Sequence, residues 1–450
     1  MKYEEYKDSG VEWIGGIPDN WEKQRIKFLC SNSSAGIWGE EEKGDTNDIA
    51  CFRIADFDYQ IGYLRFDKLT IRNIQSKDLC GRVLDVNSLL IEKSGGGEAT
   101  PVGRVVRYNF EDKATCSNFI HFITINDSYS RDFLYYYFYA LYANKENLLY
   151  FNQTTGIQNL KIGEYLGQSI FLPKLPEQQA IATYLDEKCG EINRAIDVQN
   201  KKIELLRELK QTIITDAVTK GLTPNAPMKD SGVEWIGKVP EHWEVVPLKR
   251  NLSKGQDNLK VGPFGSQLKG DEILEDGDFW VYNQRTVIDN NFKTTNSYIA
   301  ASKYKDLQGF AVKGDDVLIT TRGTIGRVAQ VPHKYNKGII HPCLIKFRID
   351  NSKLIYPFLA YLFNESGIVK QQIMLNSNAT TIDVIYGGTL KEIILPIPSI
   401  KEQKNIVKRL DEECTKIDSQ ISNANHRIEL LNELKQSIIT EAVTGKIKVC

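Results

Sequence analysis

Lys7-Asp8-Ser9-Gly10-Val11-Glu12-Trp13-Ile14-Gly15 recurs without a single change at Lys229–Gly237. Outward from this pair the copies continue as Ile17-Pro18-Asp19-Asn20-Trp21 and as Val239-Pro240-Glu241-His242-Trp243. Far downstream, residues 203–219 read IELLRELKQTIITDAVT and residues 428–444 read IELLNELKQSIITEAVT. The offset is 222 residues at the first match and 225 at the second, so the chain is a tandem duplication. A period of that length exceeds any solenoid repeat, and each copy is therefore a domain plus an appendage. The copies match at their edges and diverge in their middles. Residues 30–150 and 252–375 share only scattered positions, such as Phe133, Leu134, Tyr136 and Phe138 against Phe358, Leu359, Tyr361 and Phe363. Duplicates that keep a frame and change the presented surface do one job on two different targets.

The appendages are long helices. From Glu177 to Thr219 the chain carries no proline and one glycine, Gly190. Its hydrophobic positions step by four and three through Leu185, Cys189, Ile192, Ile196, Gln199, Ile203, Leu206, Lys210, Ile213 and Ala217. The second copy repeats the series at Leu410, Cys414, Ile417, Ile421, Ala424, Ile428, Leu431, Lys435, Ile438 and Ala442. A 3.5-residue period sustained in this way predicts a coiled-coil seam. Gly221, Pro224 and Pro227 stop the first helix and Gly445 the second. At about 1.5 Å per residue each spans roughly 60 Å. Pairing with another chain is one way to bury such a seam. The order domain, helix, domain, helix offers another: the second helix returns beside the first, antiparallel, and relates the two domains by an approximate two-fold axis.

Composition narrows the class. The 450 residues are 41% hydrophobic and 26% charged, ordinary for a globular chain. Mean hydropathy is −0.35, and no apolar run approaches the roughly 18 residues that cross a bilayer. The polar opening MKYEEYKDSG is not read as a signal peptide. Eight scattered cysteines and five histidines complete no zinc spacing, so the expectation is a reduced, cytoplasmic, metal-free protein. The net charge of −1 counts against a lone nucleic-acid binder, which normally carries a basic surplus.

Each domain reads as mixed α/β. Asn118–Ile125 and Asp316–Thr320 have strand composition, whereas the aromatic run Phe133–Tyr142 fits a buried helix better than a base-stacking surface. The candidate reading loops are Ser94, Gly95 and Gly96 with Arg104 and Arg107 in the first domain. Thr321, Arg322 and Thr324 with Arg327 stand in the similar region of the second. Glycine lets a backbone approach phosphate, and arginine pairs bidentately with guanine; a plain glycine turn accounts for the same residues. Thr154 and Gln158, and in the second copy Asn378 and Thr380, lie in polar, turn-prone segments before each helix. There is no phosphate-binding Gly-x-x-x-x-Gly-Lys-Ser/Thr loop, no Asn/Asp-Pro-Pro-aromatic tetrapeptide of adenine methyltransferases and no nuclease-like carboxylate cluster. The expectation is a non-enzyme.

The chain resembles, over essentially its full length, the specificity subunits of Type I restriction–modification enzymes. The likeness rests on Val11–Gly15 with Pro18 and Trp21, and on Val233–Gly237 with Pro240 and Trp243. It rests also on Leu172-Pro173 through Pro176-Glu177-Gln178-Gln179, and on Leu395-Pro396-Ile397-Pro398 with Glu402-Gln403. Lys313–Ile319 with Gly323–Val328 is similarly typical; the first domain departs there, with Asn87–Ile91 in place of the Gly-Asp start. The resemblance implies an α+β fold with target-recognition domains at residues 1–176 and 223–399 and spacer helices at 177–222 and 400–450. It implies that each domain reads one half of an asymmetric bipartite site in double-stranded DNA, the helices setting the spacer. It further implies two docked methyltransferase subunits, which bind S-adenosylmethionine, and two restriction/translocase subunits, with no cofactor held by this chain. Basic partners closing on the duplex would answer the charge objection. The rival from another class is a coiled-coil scaffold whose paired domains bind protein, without salt-dependent DNA binding.

Overall fold

The structure, a computed structural model, describes residues 2–154, 156–255, 258–376 and 385–449. It divides into two compact units, Met1–Lys201 with Ala424–Cys450, and Lys202–Asn423. Each unit is thus one globular head, the near part of the helix that leaves it, and the far part of the other helix.

In the first unit a six-stranded sheet runs in the order Cys30–Ala35, Ile120–Ile125, Ser88–Glu92, Val105–Arg107, Tyr63–Leu64, Phe57–Asp58. Its central strands are apolar without alternation because both faces are covered. The pleat still sorts them: Leu89, Ile91, Ile123 and Ile125 join the core under the helix Arg131–Ala143, while Leu90, Val106, Ile120 and Phe122 join a second core on the other face. That second core also takes Ala114 and Cys116 from a four-stranded sheet. The aromatic run is the buried helix expected: Ser130 caps it by accepting from Phe133 N–H, and Phe133 to Phe138 are all buried.

The second unit repeats the plan with a four-stranded sheet, Leu259–Val261, Leu344–Phe347, Val317–Thr320, Val328–Gln330. Val317, Ile319, Ile345 and Phe347 face one core; Leu318, Ala329 and Leu344 face another. Here the covering helix Tyr356–Ala360 continues as a π-helical stretch, Tyr361–Glu365.

The long helices are Leu175–Lys220 and Ile400–Val443, of 46 and 44 residues. Within the first unit Lys435 Nζ donates to Asn193 Oδ1 at 3.0 Å, and within the second Lys210 Nζ bonds Asp418 Oδ1 at 2.7 Å. Near the head of the second unit, Gly221 lies beside Glu402. In both units the two helical segments therefore run antiparallel. Of the expected seam, Leu185, Ile192, Ile196, Ile203, Leu410 and Ile417 are buried, and Leu206, Ile421, Ile428 and Leu431 are half-buried. Towards each C-terminus the buried position moves one residue on: Ile213 and Ile438 are half-buried, and Ile214 and Ile439 take their place. The drift follows from a helix of 3.6 residues per turn meeting a head core rather than only another helix. Ile214, Ala217 and Val218 complete the core of the second head, and Ile439, Ala442 and Val443 that of the first.

The repeated motifs build the socket for these ends. Trp21 is wholly buried and its Nε1 donates to Glu177 Oε1 at 3.2 Å; Trp243 repeats this with Glu402 Oε1 at 3.0 Å. One residue on, Gln178 accepts from Ser130 N–H at 2.9 Å and donates to Pro173 O at 2.8 Å. Gln403 likewise accepts from Ile355 N–H at 2.9 Å and donates to Pro398 O at 2.9 Å. Against each tryptophan rests the glycine that ends the arriving helix. Gly221 has φ +73° and its added Cβ would lie 3.1 Å from Trp243 Cζ2. Gly445 has φ +71°, and a Cβ there would overlap the Pro18 ring.

Gly445→Ala is expected to lower the unfolding free energy by about 1–3 kcal/mol, since it adds both a left-handed strain and an overlap. Gly190→Ala, mid-helix with only Arg194 Nη1 at 3.7 Å, should instead raise it by up to about 1 kcal/mol. Denaturant titration of both variants separates the two signs, and equal midpoints would remove the socket argument.

Candidate nucleic-acid interface

The glycine loop of the first head turns out to be an edge of a small sheet. Ser94–Gly95 pairs with Asn159 and Gln158, and the strand Ile157–Leu160 pairs with Phe151–Thr154, placing Thr154 opposite Ile157. The expected residues Ser94, Gly95, Gly96, Thr154 and Gln158 are thus brought together. Ser94 Oγ donates to Asn159 Oδ1 at 2.7 Å, and Gln158 Oε1 accepts from Val102 N–H at 3.1 Å. Gly96 has φ +63°, and a Cβ there would meet Gln158 Oε1 and Val102 N, each at 2.9 Å. Close packing inside the loop is enough to require glycine. Ser94 and Gln158 are buried.

Two arginines differ from expectation. Arg104 binds Glu92 Oε2 at 2.8 Å and stacks over the Tyr59 ring at 3.8 Å, so a buried carboxylate already neutralises it. Arg107 is buried, 2.8 Å from Asp186 Oδ1 and 3.4 Å from Asp132 Oδ1, with its guanidinium 4.0 Å from the Tyr63 ring and 4.4 Å from that of Tyr135. Burial alone pulls its pKa down; the charge of Asp186 and the bond to it more than reverse this and raise it. Tyr136 donates to the same Asp186 oxygen at 2.7 Å, and the second head repeats that bond from Tyr361 to Asp411 at 2.6 Å. As placed, Arg107 braces the head against its helix and presents nothing to a base edge.

In the second head Thr321 is buried and donates to Cys343 O at 2.9 Å. Arg322 and Thr324 are exposed, and Arg322 forms no ion pair among the described residues. Arg327 donates to Asn364 O at 2.7 Å. Asn378 and Thr380 lie outside the described residues.

A feature not singled out from the sequence stands beside these loops. Gly36-Ile37-Trp38-Gly39 in one head and Gly262-Pro263-Phe264-Gly265 in the other follow one pattern. Gly36 N–H donates to Ile120 O at 3.0 Å, and Gly262 N–H to Leu344 O at 2.9 Å. Ser94 N–H reaches Phe119 O and Thr321 N–H reaches Cys343 O, both at 3.0 Å. Ser117 N–H donates to Phe52 O and His341 N–H to Tyr282 O, both at 2.8 Å. The two turns therefore occupy equivalent places, and each carries an exposed aromatic side chain, Trp38 at 37% and Phe264 at 74%. Trp38, Arg53, Ile54, Ala55, Asn118 and Phe119 line a cleft of about 480 Å³. On a neighbouring strand, burial and then the charge of Lys93 lower the His121 pKa to about 4.

The helices expose a second repeated feature, Leu205 and Leu209 on one and Leu430 and Leu434 on the other, each 49–52% exposed. No helix among the described residues is long and apolar enough to cross a membrane. Burial pushes the thiol pKa of Cys30 up to about 11 and that of Cys51 to about 12, the reverse of what a nucleophile needs.

Residues 18–205 and 261–433 match the family of the Type I restriction modification DNA specificity domain. A Methanocaldococcus jannaschii protein provisionally described as the type I restriction enzyme MjaX specificity subunit is 24% identical, over 97% of this chain and 96% of its own. The type I restriction enzyme EcoBI specificity subunit of Escherichia coli is 26% identical over 71% and 66% respectively. A solved chain from work on complex assembly and conformational transition of the type I R-M system superposes with TM-score 0.71 at 16% identity, over 96% of this chain and 99% of that one. That last likeness speaks for the fold.

Arg107→Met should lower stability by about 1–2 kcal/mol by leaving the partly solvated Asp186 without its cation, while Asp132 keeps Arg131 at 2.8 Å. Discrimination between DNA sequences by the folded protein should stay unchanged. Melting curves beside binding titrations check both, and a loss of discrimination at native stability would return Arg107 to the reading surface.

Proposed function

The chain belongs to the family of Type I restriction–modification DNA specificity subunits, the non-catalytic component of such enzymes, and from that premise we propose that its heads read the two unlike halves of a bipartite DNA site. The supporting observation is the partition between what repeats and what does not. The socket residues Trp21, Glu177 and Gln178 recur as Trp243, Glu402 and Gln403 with the same hydrogen bonds. The turns that face solvent change composition from one head to the other. Constant anchoring with unlike faces is what reading two different sequences requires.

The paired helices set the separation of the half-sites, a distance to be compared with the roughly 34 Å of one duplex turn. Two methyltransferase subunits, each holding S-adenosylmethionine, dock on the helices. Leu205 with Leu209 and Leu430 with Leu434 provide two like apolar patches, as two copies of one partner need. Two restriction/translocase subunits complete the complex. The net charge of −1 leaves most of the phosphate neutralisation to these partners.

The first experiment is a genome-wide map of adenine methylation with and without this chain, its methyltransferase being present. A split motif that disappears with the chain is the expected result. Exchange of residues 30–150 for those of another member should then change one half of the motif only. An unchanged map with the complex intact on co-purification would favour the protein-binding scaffold. Separately, Leu205→Asp with Leu209→Asp should reduce the bound methyltransferase from two copies to one, as should Leu430→Asp with Leu434→Asp. Native mass spectrometry counts the copies, and two retained in both variants would move the docking site elsewhere.

A further inference from the structure

We infer that Trp38 and Phe264 are the equivalent apices through which the two heads touch DNA, each ring stacking on a nucleotide of its own half-site; this rests on the reading above. Among the described residues, the two rings stand on turns that hold equivalent places in otherwise divergent surfaces. Each follows a glycine that backbone packing demands: a Cβ on Gly36 would overlap the carbonyls of Cys116 and Ser117, and one on Gly262 the carbonyl of His341. The turns are thereby held rigidly against the sheets. Each fixed ring keeps an exposed part, 37% for Trp38 and 74% for Phe264, whose apolar surface a partner can still cover.

The surroundings indicate the chemistry of that partner. Arg72 lies over the Trp38 ring at 4.5 Å and donates from Nε to Trp38 O and from Nη2 to Gly39 O, both at 3.1 Å. Arg53, held at 2.9 Å by Asp56, lines the same cleft together with Asn118, Ile54, Ala55 and Phe119. Apolar and aromatic side chains mixed with a side-chain amide and an arginine–carboxylate pair match a base, which offers a π-face and polar edges. In the second head Thr321 N–H bonds Cys343 O at 3.0 Å and Gly262 N–H bonds Leu344 O at 2.9 Å, so the loops carrying the exposed Arg322 and Phe264 are anchored at adjoining residues. A docking surface for identical protein subunits would repeat its composition, as the leucine pairs do. Here position repeats while composition changes, from Trp38, Arg53 and Phe119 to Phe264, Asn283 and Cys343. A ligand that differs between the two heads, as the halves of a split DNA site do, accounts for that combination.

The test uses the full chain in complex with its methyltransferase subunits and a labelled duplex carrying the mapped split site. Trp38→Ala and Phe264→Ala should each weaken binding by about tenfold, the gain of one aromatic stack less the cost of opening the duplex step it enters. The dependence of affinity on salt should keep its slope, because no phosphate contact is removed. Trp38→Phe should keep most of the affinity. The effect of Trp38→Ala should vanish on a duplex whose first-head half-site is scrambled and persist when only the other half is scrambled; Phe264→Ala should show the converse. Native-like binding by both alanine variants overturns the inference, as does a penalty indifferent to half-site sequence or a loss of methyltransferase from the complex. If the unaltered complex shows no preference for the split site, the family-based reading fails first, before any variant is compared.

Discussion

Everything in each unit hangs on one buried contact, the indole N–H of Trp21 on Glu177 and of Trp243 on Glu402. The acid stands in the first turn of the departing helix, where a negative charge is also favoured by the helix dipole. The tryptophan presents its ring edge to the glycine that ends the arriving helix, and the neighbouring glutamine ties that first turn to the head's covering helix. A charge-assisted hydrogen bond at a buried site is worth about 1.5–3 kcal/mol and is costly to leave half-made. Three elements distant in sequence therefore meet at one point that tolerates little displacement. Isolated helices of this composition gain most of their stability from packing, and here the packing is supplied at both ends by a head.

That arrangement explains why duplication and divergence are distributed as they are. The repeated motifs supply the socket and the turn before it, where Ser9 N–H bonds Gly15 O and Ser231 N–H bonds Gly237 O, both at 3.0 Å. The central strands obey a looser rule, apolar on both faces, which many sequences satisfy. The surface turns are constrained mainly at their glycines, such as Gly36, Gly39, Gly96 and Gly262.

The same distribution accounts for what could be read from the chain unaided. The two heads, the long helices and the buried aromatic helix were legible because repetition and periodicity are local signals. The antiparallel course followed from connectivity. The fate of Arg107 was not legible, because its partner Asp186 stands 79 residues away and an arginine beside glycines reads alike whether buried or exposed. Gln178 and Gln403 look like ordinary polar residues of a first helical turn, yet they are 2% and 0% exposed. The Gly-x-Trp/Phe-Gly pattern was present in both copies, but four residues in a divergent region carry weight only once hydrogen bonds show the turns to be equivalent.

The internal use of cations bears on how such a protein discriminates. Arg53, Arg104, Arg107 and Arg348 each sit within 3 Å of a carboxylate oxygen of their own unit. Charges spent in this way hold loops in shape and contribute little to a long-range attraction for phosphate. With 57 basic against 58 acidic residues, the chain carries no basic surplus, and on the function proposed it would bind DNA only weakly without regard to sequence. Weak non-specific binding is an advantage to a reader, because selectivity is the ratio of the two affinities. Attraction supplied by separate subunits raises both affinities together, whereas contacts made by rigid, mostly uncharged turns raise only one. On the function proposed, a division of labour between a nearly neutral reader and basic partners would let the two quantities be set independently, which a single basic protein cannot do.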